Sequence, residues 1–304
     1  MKNIKKEYLG AALVCFAATL WGFDGIVLTP RLYQLNVSYV VFILHLLPFI
    51  GMSFLFGKRE TKKIVALSKS DLMYYFLIAL FGGSIGTLSI VKALFLVNFN
   101  HLTIVTLLQK LQPVFAIVLA RIILKEKIRK MFVLWVSVAL ISGYFLTFQF
   151  SLPVIGDSEN IGLASLYSIL AAFSFGSSTV FGKRILHNSS FITALYTRYM
   201  FTTIIMFFIV AFNGSFYWFN RTTPFQWTIF TIIGLTTGSG AIMLYYKGLK
   251  FIKANIATIC ELCFPVSSIV FDYIFNGHLL TPVQSAATVV LLFSIYRISR
   301  GQNS

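Results

Sequence analysis

The chain has 304 residues, 58% of them hydrophobic and 11% charged, with a formal net charge of +16. A soluble domain carries roughly a quarter charged residues and just under half apolar ones, so this composition excludes an ordinary soluble enzyme. The basic residues sit in short stretches between apolar blocks, which fits a membrane orientation signal better than a nucleic-acid surface.

Taken in order, the apolar blocks are of about 20 residues, the length that crosses ~30 Å of hydrocarbon. In lipid every backbone N–H and C=O must be satisfied internally, so these blocks must be helices. The alternation of a β-barrel is absent. Ten spans are predicted, at 8–28, 37–56, 72–97, 102–124, 131–150, 162–182, 191–212, 226–247, 254–275 and 282–299. The fold class is therefore all-α, a polytopic membrane protein. No cleavable leader is expected, because the apolar run after the basic start is long and 21–25 is no small-residue cleavage site. The longest connections are 57–71, 151–161 and 213–225. None can form a separate soluble domain, so any chemistry belongs inside the bundle or at its mouths.

With the N-terminus placed in the cytoplasm, twenty Lys and Arg fall on the inner segments and two, Arg31 and Arg221, on the outer ones. The remaining three, Lys92, Lys110 and Arg198, lie within spans. The bias predicts both termini in the cytoplasm of a cell inner (plasma) membrane protein.

The second half echoes the first. Trp21-Gly22 matches Phe175-Gly176. Gly82-Gly83-Ser84 with Lys92-Ala93-Leu94 matches Thr237-Gly238-Ser239 with Lys247-Gly248-Leu249, at a constant shift of 155. Gln112-Pro113-Val114 matches Phe264-Pro265-Val266 at a shift of 152, and His45 falls opposite Arg198. Residues 1–150 and 151–304 are thus expected to be two five-helix repeats. An odd number of spans per repeat forces the second copy into the membrane inverted, with the binding site near the midplane between the halves.

These motifs resemble the EamA-type drug/metabolite transporter family. The resemblance rests on Trp21-Gly22, on Arg198, and on Leu111-Gln112-Pro113-Val114-Phe115 running to Leu124-Lys125-Glu126. The second-half equivalent is Phe264-Pro265-Val266 running to Phe275-Asn276-Gly277-His278. It implies a ten-helix transporter moving metabolites, often amino acids or related compounds, usually outward. Three positions depart from the pattern: Lys125 stands where Gly is expected, His278 where the second Glu is expected, and His45 where Arg is frequent.

An ionisable residue at a helix centre costs at least ~2.5 kcal/mol in the membrane, so each marks a pathway or a partner. Lys92 and Asp272 lie near outer helix ends and are expected to reach the interface. Glu261 precedes Pro265 by four residues, and Gln109, beside Lys110, precedes Pro113 by four. A proline removes the hydrogen bond to the carbonyl four residues back, so freed carbonyls are expected at Gln109 and Glu261. Matched breaks across inverted repeats point to the substrate site. The competing reading pairs Glu261 with Arg198 as a structural ion pair. Asp24 is a substrate-amine partner or proton carrier, or else the partner of Lys92 or Lys110. Trp21 lies too deep for an interfacial belt and either lines the cavity or packs against helices.

Trp21, Asp24, Gln109, Lys110, Arg198 and Glu261 are therefore the candidate substrate-binding residues, with Pro113 and Pro265 as helix breaks. The glycine-rich runs are expected to permit close helix contact. Cys260-Glu261-Leu262-Cys263 lacks the further ligands of a metal site and the scaffold of a redox site. No metal, cofactor or catalytic set is expected. The expected function is secondary transport of a small polar or amphipathic metabolite, amino-acid-like in one version, with proton coupling as a candidate. The alternative is a membrane-embedded enzyme or non-transporting receptor with a sealed bundle. The expected partners are a small molecule and the lipid bilayer.

Overall fold

Apolar runs bounded by polar caps set the helices. The computed structural model describes residues 2–97, 105, 108–150, 159–277, 279 and 281–300. All regular structure among the described residues is helical. In chain order the apolar helices are α1 (Lys5–Leu32), α2 (Val37–Val65), α3 (Lys69–Leu96), α4 (Gln112–Ile123), α5 (Lys130–Leu146), α6 (Asn160–Leu186), α7 (Phe191–Phe212), α8 (Pro224–Phe251), α9 (Ala254–Asn276) and α10 (Pro282–Ile298). By length and composition seven of them can cross a membrane, while α4, α5 and α10 are shorter. Residues 102–104 and 106–107 of the fourth expected span, residues 151–158 of the connection expected at 151–161, and His278 lie outside the described residues.

Local chemistry accounts for the helix starts. The Asn36 side chain accepts from the N–H groups of Ser38 and Tyr39 and opens α2. Thr223 and Gln226 form a reciprocal capping box ahead of Pro224 and open α8. The connection expected at 57–71 is mostly helix instead. Its Lys, Arg, Glu and Thr residues hold no helix-breaking proline, so α2 winds on to Val65, and Ser68 caps the next helix. The connection expected at 213–225 holds a short 3₁₀ turn, Ser215–Asn220.

Packing relies on small residues. A Cβ on Gly10 in α1 would sit 2.9 Å from the carbonyl oxygen of Gly248 in α8. A Cβ on Gly248 would sit 2.6 Å from the carbonyl oxygen of Gly10, so the two backbones touch. Gly22 in α1 packs on Phe264, Ser267 and Ser268 of α9, and Gly176 in α6 packs on Gln112, Phe115 and Ala116 of α4. Helix α1 packs on α8 and α9, α6 on α3 and α4, α2 on α7, α4 on α9, and α5 on α10. The outer faces present Phe54, Ile122, Phe212 and Leu235. That apolar surface suits lipid contact rather than water.

The winding is interrupted at repeated positions. π-turns occur at Asp24–Leu28 in α1, Ile78–Ile85 in α3 and Gly234–Gly238 in α8. The last two coincide with the small-residue runs found at one shift in both halves. Residues 110–111 form a turn ahead of α4, and Glu261-Leu262 interrupts α9. Each break lies just before its proline, as expected. The carbonyl of Glu261 is not free, however. It accepts the Phe264 N–H at 2.9 Å, because the chain tightens to i→i+3 bonding at the break.

Candidate functional site

A cavity of about 320 Å³ lies among all the apolar helices except α5 and α10. Trp21, Asp24, Gln109, Lys110, Pro113, Arg198, Glu261 and Pro265 all line it. The helix breaks open the walls, since a broken helix turns backbone and the residues beside it toward the space that an intact helix would fill.

Glu261 sits at the α9 break. Its Oε1 accepts from the Tyr245 hydroxyl at 2.9 Å and from the Thr179 hydroxyl at 3.5 Å. Its Oε2 accepts from the Gln112 side-chain amide at 2.5 Å. Gln112 begins α4 beside Pro113, so one hydrogen bond joins the two breaks. Arg198 forms no ion pair with Glu261. Its Nη1 donates to the Tyr246 hydroxyl at 3.2 Å and its Nη2 to the Gly82 carbonyl at 2.8 Å, inside the α3 π-turn. The competing reading of an Arg198–Glu261 ion pair is thus not met, and both residues have neutral partners instead. The cause is a backbone one: the π-turn presents a carbonyl that an ordinary helix would keep for itself.

Asp24 opens the α1 π-turn, and its Oδ1 accepts the Thr29 hydroxyl at 3.0 Å. It pairs with neither Lys92 nor Lys110, the partners considered for it. Lys92 is exposed, as its place near a helix end led one to expect. Lys110 is buried and donates from Nζ to the Gly143 carbonyl of α5 at 2.9 Å. Trp21 both lines the cavity and packs on Tyr245, with ring centroids 5.5 Å apart. His45 is buried, takes the Val41 carbonyl at 2.8 Å through Nδ1, and lies 5.6 Å from the Tyr199 ring.

Sequence reasoning missed Tyr245, Thr179 and Tyr199. Tyr245 could have been found by spacing, since with Ile242 it makes an i, i+3 pair on the cavity side of α8. Tyr199 adjoins Arg198 and carries no separate signal. Thr179 lies one turn past Phe175-Gly176, a position where a hydroxyl reads as ordinary helix packing.

Away from the cavity, Glu126 reaches from the α4–α5 connection to the start of α9. Its two carboxylate oxygens accept the backbone N–H groups of Ala254 at 2.9 Å and Asn255 at 3.2 Å. A carboxylate there meets unpaired donors and the positive end of the helix dipole. Lys125 before it has φ 55°, and Gly277, 152 residues later, has φ 75°. Both follow the end of a helix in the left-handed conformation. The position where the resembled pattern has Gly therefore needs a positive φ, and Lys125 adopts it regardless. Among the described residues no cluster of His, Cys, Asp and Glu is fit to hold a metal ion.

The model of the EamA-like transporter family matches residues 8–148 and 162–300. The chain is 62% identical over 291 residues to a riboflavin transporter, ImpX, of Fusobacterium nucleatum subsp. nucleatum, covering 96% of this chain and 97% of that protein. A solved crystal structure that is 14% identical superposes with a TM-score of 0.73 over 97% of this chain and 99% of that one. At that identity the likeness concerns the fold alone.

Proposed function

The chain belongs to the EamA-like transporter family and is a multi-pass membrane transporter, not an enzyme, and on that premise we propose that it carries a flavin, riboflavin or a close relative, by alternating access. The observation that carries this reading is the 62% identity with a riboflavin transporter over nearly the whole of both chains. The cavity supports it. Its volume of about 320 Å³ falls within the ~300–1,000 Å³ of small-molecule sites. Trp21, Phe175, Tyr245 and Phe264 bring aromatic rings to its wall, suited to a planar cargo, and Asp24, Gln109, Lys110, Arg198 and Glu261 bring polar groups. These residues are the proposed substrate contacts.

Uptake of riboflavin into proteoliposomes holding the purified protein tests the reading, with and without a pH gradient. Saturable uptake is expected, and a gradient dependence would support proton coupling. Vesicles no more permeable to riboflavin than protein-free ones would refute the flavin assignment. A zwitterionic, amino-acid-like cargo is the second reading, favoured by the acidic Glu261 and basic Lys110 on one cavity. Competition by an amino-acid mixture would establish it, and lack of competition would remove it.

The proposed architecture is ten membrane helices in two inverted repeats, 1–150 and 151–304. Exchanging each helix for the one five places on maps the α1–α8 contact onto α3–α6 and the α1–α9 contact onto α4–α6. The α2–α7, α4–α9 and α5–α10 contacts map onto themselves. Gly22 and Gly176 meet residues of the opposite half that differ by a constant 152. The two separate family matches support the same division. Both termini are proposed to be cytoplasmic, in the inner (plasma) membrane, from the basic bias of the inner segments.

A further inference from the structure

Four residues lining the cavity carry a buried polar group without a hydrogen-bond partner among the described residues, and one of these groups, the Thr237 hydroxyl, sits beside the Asp24 carboxylate. The other three are Nε of Arg198, the hydroxyl of Tyr199 and the hydroxyl of Thr258. Arg198 is 8% exposed and the other two 1%. A buried donor without a partner is destabilising, and such groups are rare unless something fills the place. Other polar groups of the wall are engaged: Glu261 has three partners and Asp24 has Thr29. The orphaned set is thus distinct from the groups that hold the wall together.

Its chemistry is specific. The Nε–H of arginine donates only, and the two hydroxyls can donate. Arg198 cannot swing to find another partner, because Nη1 and Nη2 are fixed on Tyr246 and Gly82. Tyr199 is held by the His45 ring beside it. The set therefore presents fixed donors to a ligand edge rich in neutral acceptors. It lacks the flexible lysines that a phosphate site would use.

We propose that Arg198 Nε, Tyr199 and Thr258 form the specificity pole of the transporter and hold the carbonyl edge of a planar heteroaromatic cargo. The proposal rests on the flavin reading, in which that edge is the pyrimidine-dione side of the ring, while the polyol chain lies elsewhere in the cavity. Tyr199 and Thr258 then act as specificity residues, because a site built to pair with carbonyls rejects an analogue lacking them.

The test uses the purified full-length chain in detergent, with riboflavin and lumiflavin as probes and quenching of flavin fluorescence as the readout. Lumiflavin keeps the dione and lacks the polyol. Tyr199→Phe and Thr258→Val each remove a hydroxyl and keep the shape. Each should weaken both probes by about fivefold, the value of one hydrogen bond. The unfolding midpoint of the cargo-free protein should stay level or rise, since an unpaired buried group has been removed. Unchanged affinity in both variants overturns the pole. A loss for riboflavin alone overturns the dione assignment, because the donors would then meet the polyol. A midpoint that falls in step with affinity overturns the specificity role in favour of a structural one. If the wild-type chain binds neither probe, the flavin reading itself fails, a result distinct from the other three.

Discussion

Gly176→Ala puts the close contact between α6 and α4 under direct strain. A Cβ at that position would lie 2.9 Å from the Gln112 carbonyl oxygen, 3.1 Å from the Ala116 nitrogen and 3.3 Å from the Phe115 Cβ. Two of these three atoms are backbone, and the first belongs to the residue that links the α4 break to Glu261. Neither can turn aside as a side chain does, so α6 and α4 must separate by several tenths of an ångström. Overpacking of this kind costs about 1–3 kcal/mol. Replacing Gly by Ala inside a helix returns about 1 kcal/mol in propensity. The expected net effect is a loss of up to about 2 kcal/mol, with reduced uptake because Gln112 is displaced. Gly51→Ala in α2 is the matched control, since a Cβ there meets nothing within 4 Å. It should keep the propensity gain and transport normally. Thermal unfolding of both variants in detergent, with uptake at equal membrane abundance, provides the comparison. Equal midpoints for the two variants would refute the argument from packing.

Lys125→Gly should stabilise the protein by about 0.5–1 kcal/mol by relieving a left-handed side-chain residue, read as a raised unfolding midpoint; a lowered midpoint would contradict the φ argument. Glu261→Gln and Lys110→Met should each cut uptake at least tenfold at equal abundance; normal uptake by both would make these charges structural only. In a cysteine-free background, a cysteine replacing Asn220 should react with a membrane-impermeant maleimide in intact cells, and one replacing Lys62 should not. The reverse pattern would overturn the proposed orientation.

The helices were largely readable in the sequence because block length and apolarity are local properties. The 191–212 expectation coincides with α7, and the two proline breaks fall where the pattern put them. The eight candidate residues all line one cavity; buried charge marked Asp24, Lys110, Arg198 and Glu261, and the matched prolines marked the breaks beside Gln109 and Glu261. Other features need three-dimensional context. The extension of α2 past residue 56 is rich in charged residues, so no apolar-length criterion detects it. Its Glu60 is buried between Lys63 and Thr193, at 2.6 and 2.7 Å, an arrangement that depends on α7 being alongside. The actual partners of Arg198 could not be read from the sequence, because a backbone carbonyl leaves no trace in a residue pattern. The small-residue runs at the π-turns showed only that something small was needed there.

Those π-turns have a consequence for how cargo-facing residues are counted along the chain. A π-turn inserts an extra residue into an α-helix, and each residue advances the winding by about 100°. Everything beyond the turn is therefore rotated by that amount relative to a helix without it. In α3 the cavity-facing residues beyond the turn are Thr87, Ile90, Val91 and Leu94, and in α8 they include Ile242 and Tyr245. The extra residue works as a phase setting: shortening either run by one would leave the helix intact while turning that stripe off the cavity. Substitutions within the run and a one-residue deletion are thus different kinds of change, the first altering fit and the second altering which side chains the cargo can meet at all.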